Sequence, residues 1–225
     1  MMENTLYLIW KDPKTRRNYT VGKLSKNAGY SFEYIAEADE AQSAGWKRLE
    51  AFPEKKQYVS EVLFPSFSSR LPDPKRRDIE NILKKYGLSE YDAFELLRSS
   101  RGRLPIDTYE LVDPIFPEDT TVERDFYIMG TRHHARCEGK NCASLTVNIG
   151  DCLTLRPEPE NEYDTNAIRI QSVSGELLGY VPRYYSAAVA NRLNAGVSYV
   201  CTVIEVNTSQ CEECMKVQLR MPKIE

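Results

Sequence analysis

Residues 113–121 divide this chain into two stretches that follow different residue patterns. The segment holds Pro114, Pro117, Glu118 and Asp119 and no apolar period, which suits a connection between domains rather than a helix or a central strand. Before it, strand-like and helix-like segments mix. After it, short strand-like runs crowd together with brief turns between them. At 225 residues the chain is long enough for two modest domains. The expectation is an α+β chain with one domain over 1–112, a linker at 113–121 and a second domain over 122–225.

The first half opens as a hairpin. Leu6 to Trp10 and Asn18 to Leu24 read as strands around a turn at Lys11-Asp12-Pro13-Lys14. Tyr30 to Ile35 continues the sheet, with Tyr30, Phe32 and Tyr34 alternating, and Tyr58 to Phe64 adds a further strand. Ala36 to Ser43 has helical composition. Asp78 to Tyr86 places Ile79, Ile82, Leu83 and Tyr86 on one face and stops at Gly87. Ser89-Glu90-Tyr91-Asp92 predicts a capped helix through Leu97. In the second half, strands are expected at Phe126–Gly130, Ser144–Val147, Cys152–Pro157, Ala167–Gln171, Leu177–Val181, Tyr199–Val206 and Lys216–Met221. One helix interrupts them, capped by Ser186 and closed by Asn194-Ala195-Gly196. Many short strands with one or two helices predict a small SH3-like or OB-like β-barrel.

Two segments of the second half concentrate chemistry. Asn161-Glu162-Tyr163-Asp164-Thr165-Asn166-Ala167-Ile168 puts an amide, a phenol and a carboxylate in four positions, and Gly179-Tyr180-Val181-Pro182-Arg183-Tyr184-Tyr185 supplies an arginine among three tyrosines. A ring stacks on a base, a carboxylate accepts from a sugar hydroxyl and a cation meets a phosphate. The plain alternative is a polar turn followed by an amphipathic surface helix. Net charge is −3, from 30 basic and 33 acidic residues. That balance argues against a protein that grips long duplex DNA through many phosphates. Any nucleic-acid site is expected to be local, with few phosphate contacts.

Residues 126–206 resemble a HIRAN domain. The resemblance lies in Phe126-Tyr127-Ile128-Met129-Gly130-Thr131-Arg132-His133-His134, in Leu155 through Ile168 with its Tyr163-Asp164-Thr165-Asn166-Ala167-Ile168 core, and in Leu178-Gly179-Tyr180-Val181-Pro182. It implies a module that captures single-stranded DNA, or a DNA 3′-hydroxyl end, in the service of repair, replication or phage defence. Position by position, it implies that Arg132 contacts phosphate and that Asn161 touches a base edge. Tyr163 would stack on the terminal base, and Asp164 would accept the 3′-hydroxyl. His133 occupies the place of a stacking tyrosine, and Tyr180 and Arg183 those of a phosphate-contacting histidine and lysine. Glu158, Glu160 and Glu162 add negative charge beside this set.

Residues 6–112 resemble the N-terminal subdomain of HipA-type kinases. The resemblance rests on Leu6 to Trp10, Val21-Gly22-Lys23-Leu24, Tyr30 to Tyr34 and Leu63-Phe64-Pro65-Ser66-Phe67. It implies a protein-docking module. No kinase loop, serine-protease order or phosphate loop appears in the sequence, so a binding protein is expected rather than an enzyme. A toxin–antitoxin-type partner that binds a HipA-like kinase, with no DNA role, is the alternative.

Three further features remain. Cys137, Cys142, Cys211 and Cys214 form two closely spaced pairs that suit a structural zinc site, or else unrelated thiols. Cys152 and Cys201 lie in strand patterns and are expected in the core. Lys75-Arg76-Arg77, Lys84-Lys85, Arg98, Arg101 and Arg103 form a basic streak interleaved with acids: either a phosphate track or a solvated face. The start of the sequence lacks a basic region ahead of its apolar run, and no stretch approaches the ~20 apolar residues of a membrane helix. The expected compartment is the cytoplasm.

Overall fold

A computed structural model describes residues 4–117, 119–134, 147–208 and 213–222. The chain divides into two compact units, Met1–Pro114 and Ile115–Glu225.

The first unit is built on one antiparallel sheet. Its strands are β1 (Asn4–Lys11), β2 (Asn18–Lys26), β3 (Tyr30–Tyr34), β4 (Tyr58–Ser60) and β5 (Tyr109–Val112), in the order β4-β3-β2-β1-β5. Four helices accompany it: α1 (Glu37–Ser43), α2 (Pro65–Ser68), α3 (Ile79–Lys85) and α4 (Ala93–Ser100). Phe32 lies at the centre of the core, its ring 4.5 Å from Phe52, 5.1 Å from Tyr34 and 5.3 Å from Phe67. Gly22 makes room for it, because a Cβ there would sit 2.6 Å from the Phe32 ring. Tyr34 donates its hydroxyl to the Phe52 carbonyl at 2.7 Å, and burial pushes that hydroxyl up to about 12.

Local signals placed several elements correctly and misplaced others. The run from Tyr58 to Phe64 is a strand only through Ser60, since Pro65 starts α2. The cap of α4 is Asp92, not Ser89. Its carboxylate accepts from the amides of Phe94 and Glu95 at 2.8 and 3.1 Å. Strand β5 had no sequence signal of its own; it exists because Tyr7 to Trp10 offer a free edge for Tyr109 to Val112. The basic streak is largely neutralised where it meets the sheet. Arg98 pairs with Glu95 and Asp113, and Arg101 and Arg103 both reach Glu110. Burial alone would push the Glu110 carboxyl up, but these two guanidinium groups bring it below its ordinary value.

The second unit contains β6 (Val122–Tyr127), α5 (Thr131–His134), β7 (Thr154–Pro157), β8 (Ile168–Gln171), β9 (Leu177–Tyr180), α6 (Arg183–Asn194), β10 (Val200–Val206) and β11 (Met215–Met221). They form two three-stranded antiparallel sheets, β10-β11-β6 and β7-β8-β9. Isolated bridges join Met129 to Tyr180 and Cys152 to Thr202. Among the described residues the pairing therefore runs from β6 to β9 through β8 and β7 back to β10, a closed circuit. Phe126, Ile128, Ile168, Ile170, Val217 and Leu219 fill its interior, and α6 adds Tyr185, Val189 and Ala190.

Within the stretch 113–121, expected as a linker, Ile115, Phe116 and Asp119 are tied into the second unit. Ile115 enters this core, and the buried Arg192 donates to the carbonyls of Phe116 and Asp119, both at 2.9 Å. Helix α6 also begins earlier than expected, at Arg183 after Pro182, so Ser186 lies in its first turn and is not its cap. Gly196, in the left-handed region at φ 77°, ends it as predicted. Cys201 is in the core, but Cys152 is exposed, because it opposes Thr202 on the outer face. The expected strand at Ser144–Val147 falls almost wholly outside the described residues. Among the described residues, no helix is long and apolar enough to cross a membrane.

Candidate nucleic-acid interface

The Asn161–Asn166 turn is held by its own short polar side chains. Asn161 Oδ1 accepts from the amides of Tyr163 and Asp164 at 3.0 and 3.2 Å. Asp164 Oδ1 accepts from the Asn166 amide at 2.9 Å. These are the local bonds that let Asn and Asp replace regular structure at turns. The main chain closes the loop, with Ala167 donating to the Asp164 carbonyl at 2.9 Å and Glu158 to the Ala167 carbonyl at 2.8 Å. None of these bonds uses the Tyr163 ring, which projects with 80% of its surface exposed.

A second tie crosses from this turn to α6. Ser186 donates to Asp164 Oδ2 at 2.7 Å, and Ser186 is buried. Arg183, the first residue of α6, follows Tyr180 by three positions. Tyr180 is fixed in turn by a two-way main-chain pair with Met129, at 2.9 Å in each direction. Gly179 makes that approach possible: with φ at +145°, a Cβ would collide with the Met129 carbonyl and lie 2.7 Å from Ile128.

Helix α5 stands on the other side of Tyr180. The Tyr180 ring lies 5.8 Å from that of His134. Burial depresses His134, and the charges of His133 and Arg169 act in the same direction. Arg132 and His133 are exposed, and Arg132 Nε donates to His133 Nε2 at 3.1 Å.

Glu158 links the two halves of the patch. It pairs with Arg169 and accepts from Asn161 Nδ2 at 3.1 Å. The Arg169 guanidinium holds its carboxyl down at about 2. Burial and this carboxylate together raise the Tyr180 hydroxyl. One of the three acids expected to burden the site is therefore already neutralised by a cation, while Glu160 and Glu162 are exposed.

The structure gathers Asn161, Tyr163 and Asp164 in one turn, ties that turn to Glu158 through Asn161 and to α6 through the buried Ser186, and sets Tyr180 beside His134. Arg132 and His133 lie exposed on α5, and Arg183 opens α6 half-buried. Sequence reasoning missed Arg169, Ser186 and His134. Arg169 and Ser186 carry no local motif and act through partners 11 and 22 residues away. The zinc reading lies mostly beyond view: Cys137, Cys142 and Cys211 fall outside the described residues, and Cys214 is packed in the core.

Comparison with known proteins bears on this same unit. Residues 122–221 match the HIRAN domain. The HIRAN match leaves residues 6–112 outside it. The helicase-like transcription factor of Mus musculus is 31% identical over 104 residues, covering 45% of this chain and 10% of that protein. The Oryctolagus cuniculus protein of the same name is 35% identical over 86 residues, covering 36% of this chain and 8% of its own. The chain thus spans a tenth or less of those relatives. Two solved structures are similar at lower identity. The HIRAN domain of human HLTF has 19% identity and a TM-score of 0.35, covering 45% of this chain and 78% of its own. A Lactobacillus plantarum protein has 20% identity and a TM-score of 0.36, covering 45% and 96%.

Proposed function

We propose that the HIRAN domain of this chain binds single-stranded DNA and captures its 3′-hydroxyl end. Tyr163 stacks on the terminal base, and Asp164 accepts the terminal hydroxyl. Arg132 and Arg183 face phosphate, with Tyr180, His133 and Asn161 completing the wall. The observation that carries this reading is the pairing of an 80%-exposed Tyr163 with an adjacent carboxylate whose oxygens are each held by a donor from the protein. A ring that contributes nothing to its own turn is free to stack, and a fixed carboxylate is a preformed acceptor. The neutralised Glu158 further lowers the electrostatic cost of an approaching phosphate.

The chain acts as a binder rather than as a catalyst in this reading, and residues 1–114 supply protein contacts. The pairing of Arg98, Arg101 and Arg103 with acids supports that assignment over a phosphate track. The test is a titration with short single strands that differ only at the 3′ terminus, alongside a blunt duplex, at ~100 mM salt. Preference for the free hydroxyl supports end capture. Equal affinity for hydroxyl, phosphate and blunt ends would sink it.

A further inference from the structure

We propose that Ser186 is a positioning residue, whose hydroxyl locks the Asp164 carboxylate to the first turn of α6 and thereby sets the preference for a strand ending in a free hydroxyl. The inference rests on the end-capture reading above. Ser186 is 2% exposed. Its Oγ lies 2.7 Å from Asp164 Oδ2 and 2.9 Å from the main-chain carbonyl of Arg183. The hydroxyl has one hydrogen to give, and a carboxylate is the stronger acceptor, so the proton goes to Asp164. The Arg183 carbonyl then receives no hydrogen from Ser186, and the serine's hold is on the Asp164 carboxylate.

Asp164 is held from its other side as well. Its Oδ1 takes the Asn166 amide hydrogen at 2.9 Å. Each carboxylate oxygen therefore spends one lone-pair direction on the protein and keeps another for a ligand. A hydroxyl-ended strand brings a donor to that remaining direction. A hydrogen-ended strand brings none, and a phosphate-ended strand brings negative charge against a carboxylate that cannot turn away. Without Ser186, one of the two restraints on the carboxylate is gone, and the terminal hydroxyl meets an acceptor that must first be ordered. The helix itself gains nothing from serine here, since alanine is the better helix former. A hydroxyl buried to this degree is tolerated because it has this partner.

The experiment measures anisotropy of short labelled strands ending in 3′-hydroxyl, 3′-hydrogen or 3′-phosphate on the full chain, Ser186→Ala, Asp164→Asn and the double variant. Ser186→Ala is expected to weaken binding of the hydroxyl-ended strand about three- to tenfold and of the hydrogen-ended strand less than about twofold. Its melting temperature should stay within a few degrees of wild type. In the Asp164→Asn background the serine change should alter neither affinity, because the role is exerted through that carboxylate. Wild-type discrimination retained in Ser186→Ala overturns the proposal, as does an equal loss for all three ends, which marks a merely structural hydroxyl. A wild-type chain indifferent to the terminus overturns the end-capture reading itself, and this role with it.

Discussion

Replacing Tyr163 by alanine separates binding from folding. The ring is 80% exposed, and the turn beneath it is held by Asn161, Asp164 and main-chain bonds that survive the substitution. Stability should therefore change by less than about 0.5 kcal/mol, as for other surface sites without special contacts. Loss of one base–aromatic stack costs ~1–3 kcal/mol, which raises Kd roughly 5- to 150-fold. The assay pairs anisotropy of a 5′-labelled single strand with thermal unfolding of the same preparations. Tyr163→Phe should bind within about twofold of wild type, because the π face is retained. Asn161→Ala provides the contrast: it deletes the acceptor for two amides and should cost about 1–3 kcal/mol of stability as well as affinity. An alanine variant at 163 that binds like wild type would refute the stacking role. One that binds poorly only because it melts much earlier would show that the ring is structural.

Two further outcomes follow from the same geometry. Glu158 titrates at about 2 in the folded chain against an ordinary 4.5, so the unfolded chain takes up its proton first. The stabilisation is complete above about pH 4.5 and is lost as pH falls toward 2. Because Arg169 is partly exposed, it amounts to no more than about 1 kcal/mol. Glu158→Gln should flatten that limb of an acid-unfolding curve and leave Arg169 free to strengthen DNA binding; an unchanged acid limb would refute the pairing. Gly179→Ala should destabilise by roughly 1–3 kcal/mol or more, because its Cβ enters the Met129 carbonyl and the Ile128 side chain at a positive φ. A melting temperature equal to wild type would contradict that packing.

Much of the fold was legible because it is written locally. The alternation of Tyr30, Phe32 and Tyr34, the strands at Ile168–Gln171, Leu177–Tyr180, Val200–Val206 and Met215–Met221 and the glycine end of α6 are local patterns and appear close to where they predict, whereas the strand expected at Phe126–Gly130 runs from Val122 to Tyr127. The errors have a common origin. Asp92 outcompetes Ser89 as a cap because helix α4 starts at Ala93. The extent of β4 is decided by Pro65, and the anchoring of Phe116 and Asp119 by Arg192, more than seventy residues away. β5 is four residues whose strand character comes from the edge of β1.

For the candidate site, the division is sharper. Composition and the spacing of Asn161, Tyr163, Asp164, Tyr180 and Arg183 were sufficient to nominate two segments that bear an amide, a ring, an acid and a cation, because residue chemistry and short-range turn bonds need no distant partner. Sequence alone also set the near-neutral net charge of −3. Only the tertiary structure decided that Arg169 pairs with Glu158 and that Ser186 holds Asp164. Those are contacts across strands and between a loop and a helix. Their existence depends on where the core places each backbone, and no window of neighbouring residues contains that information.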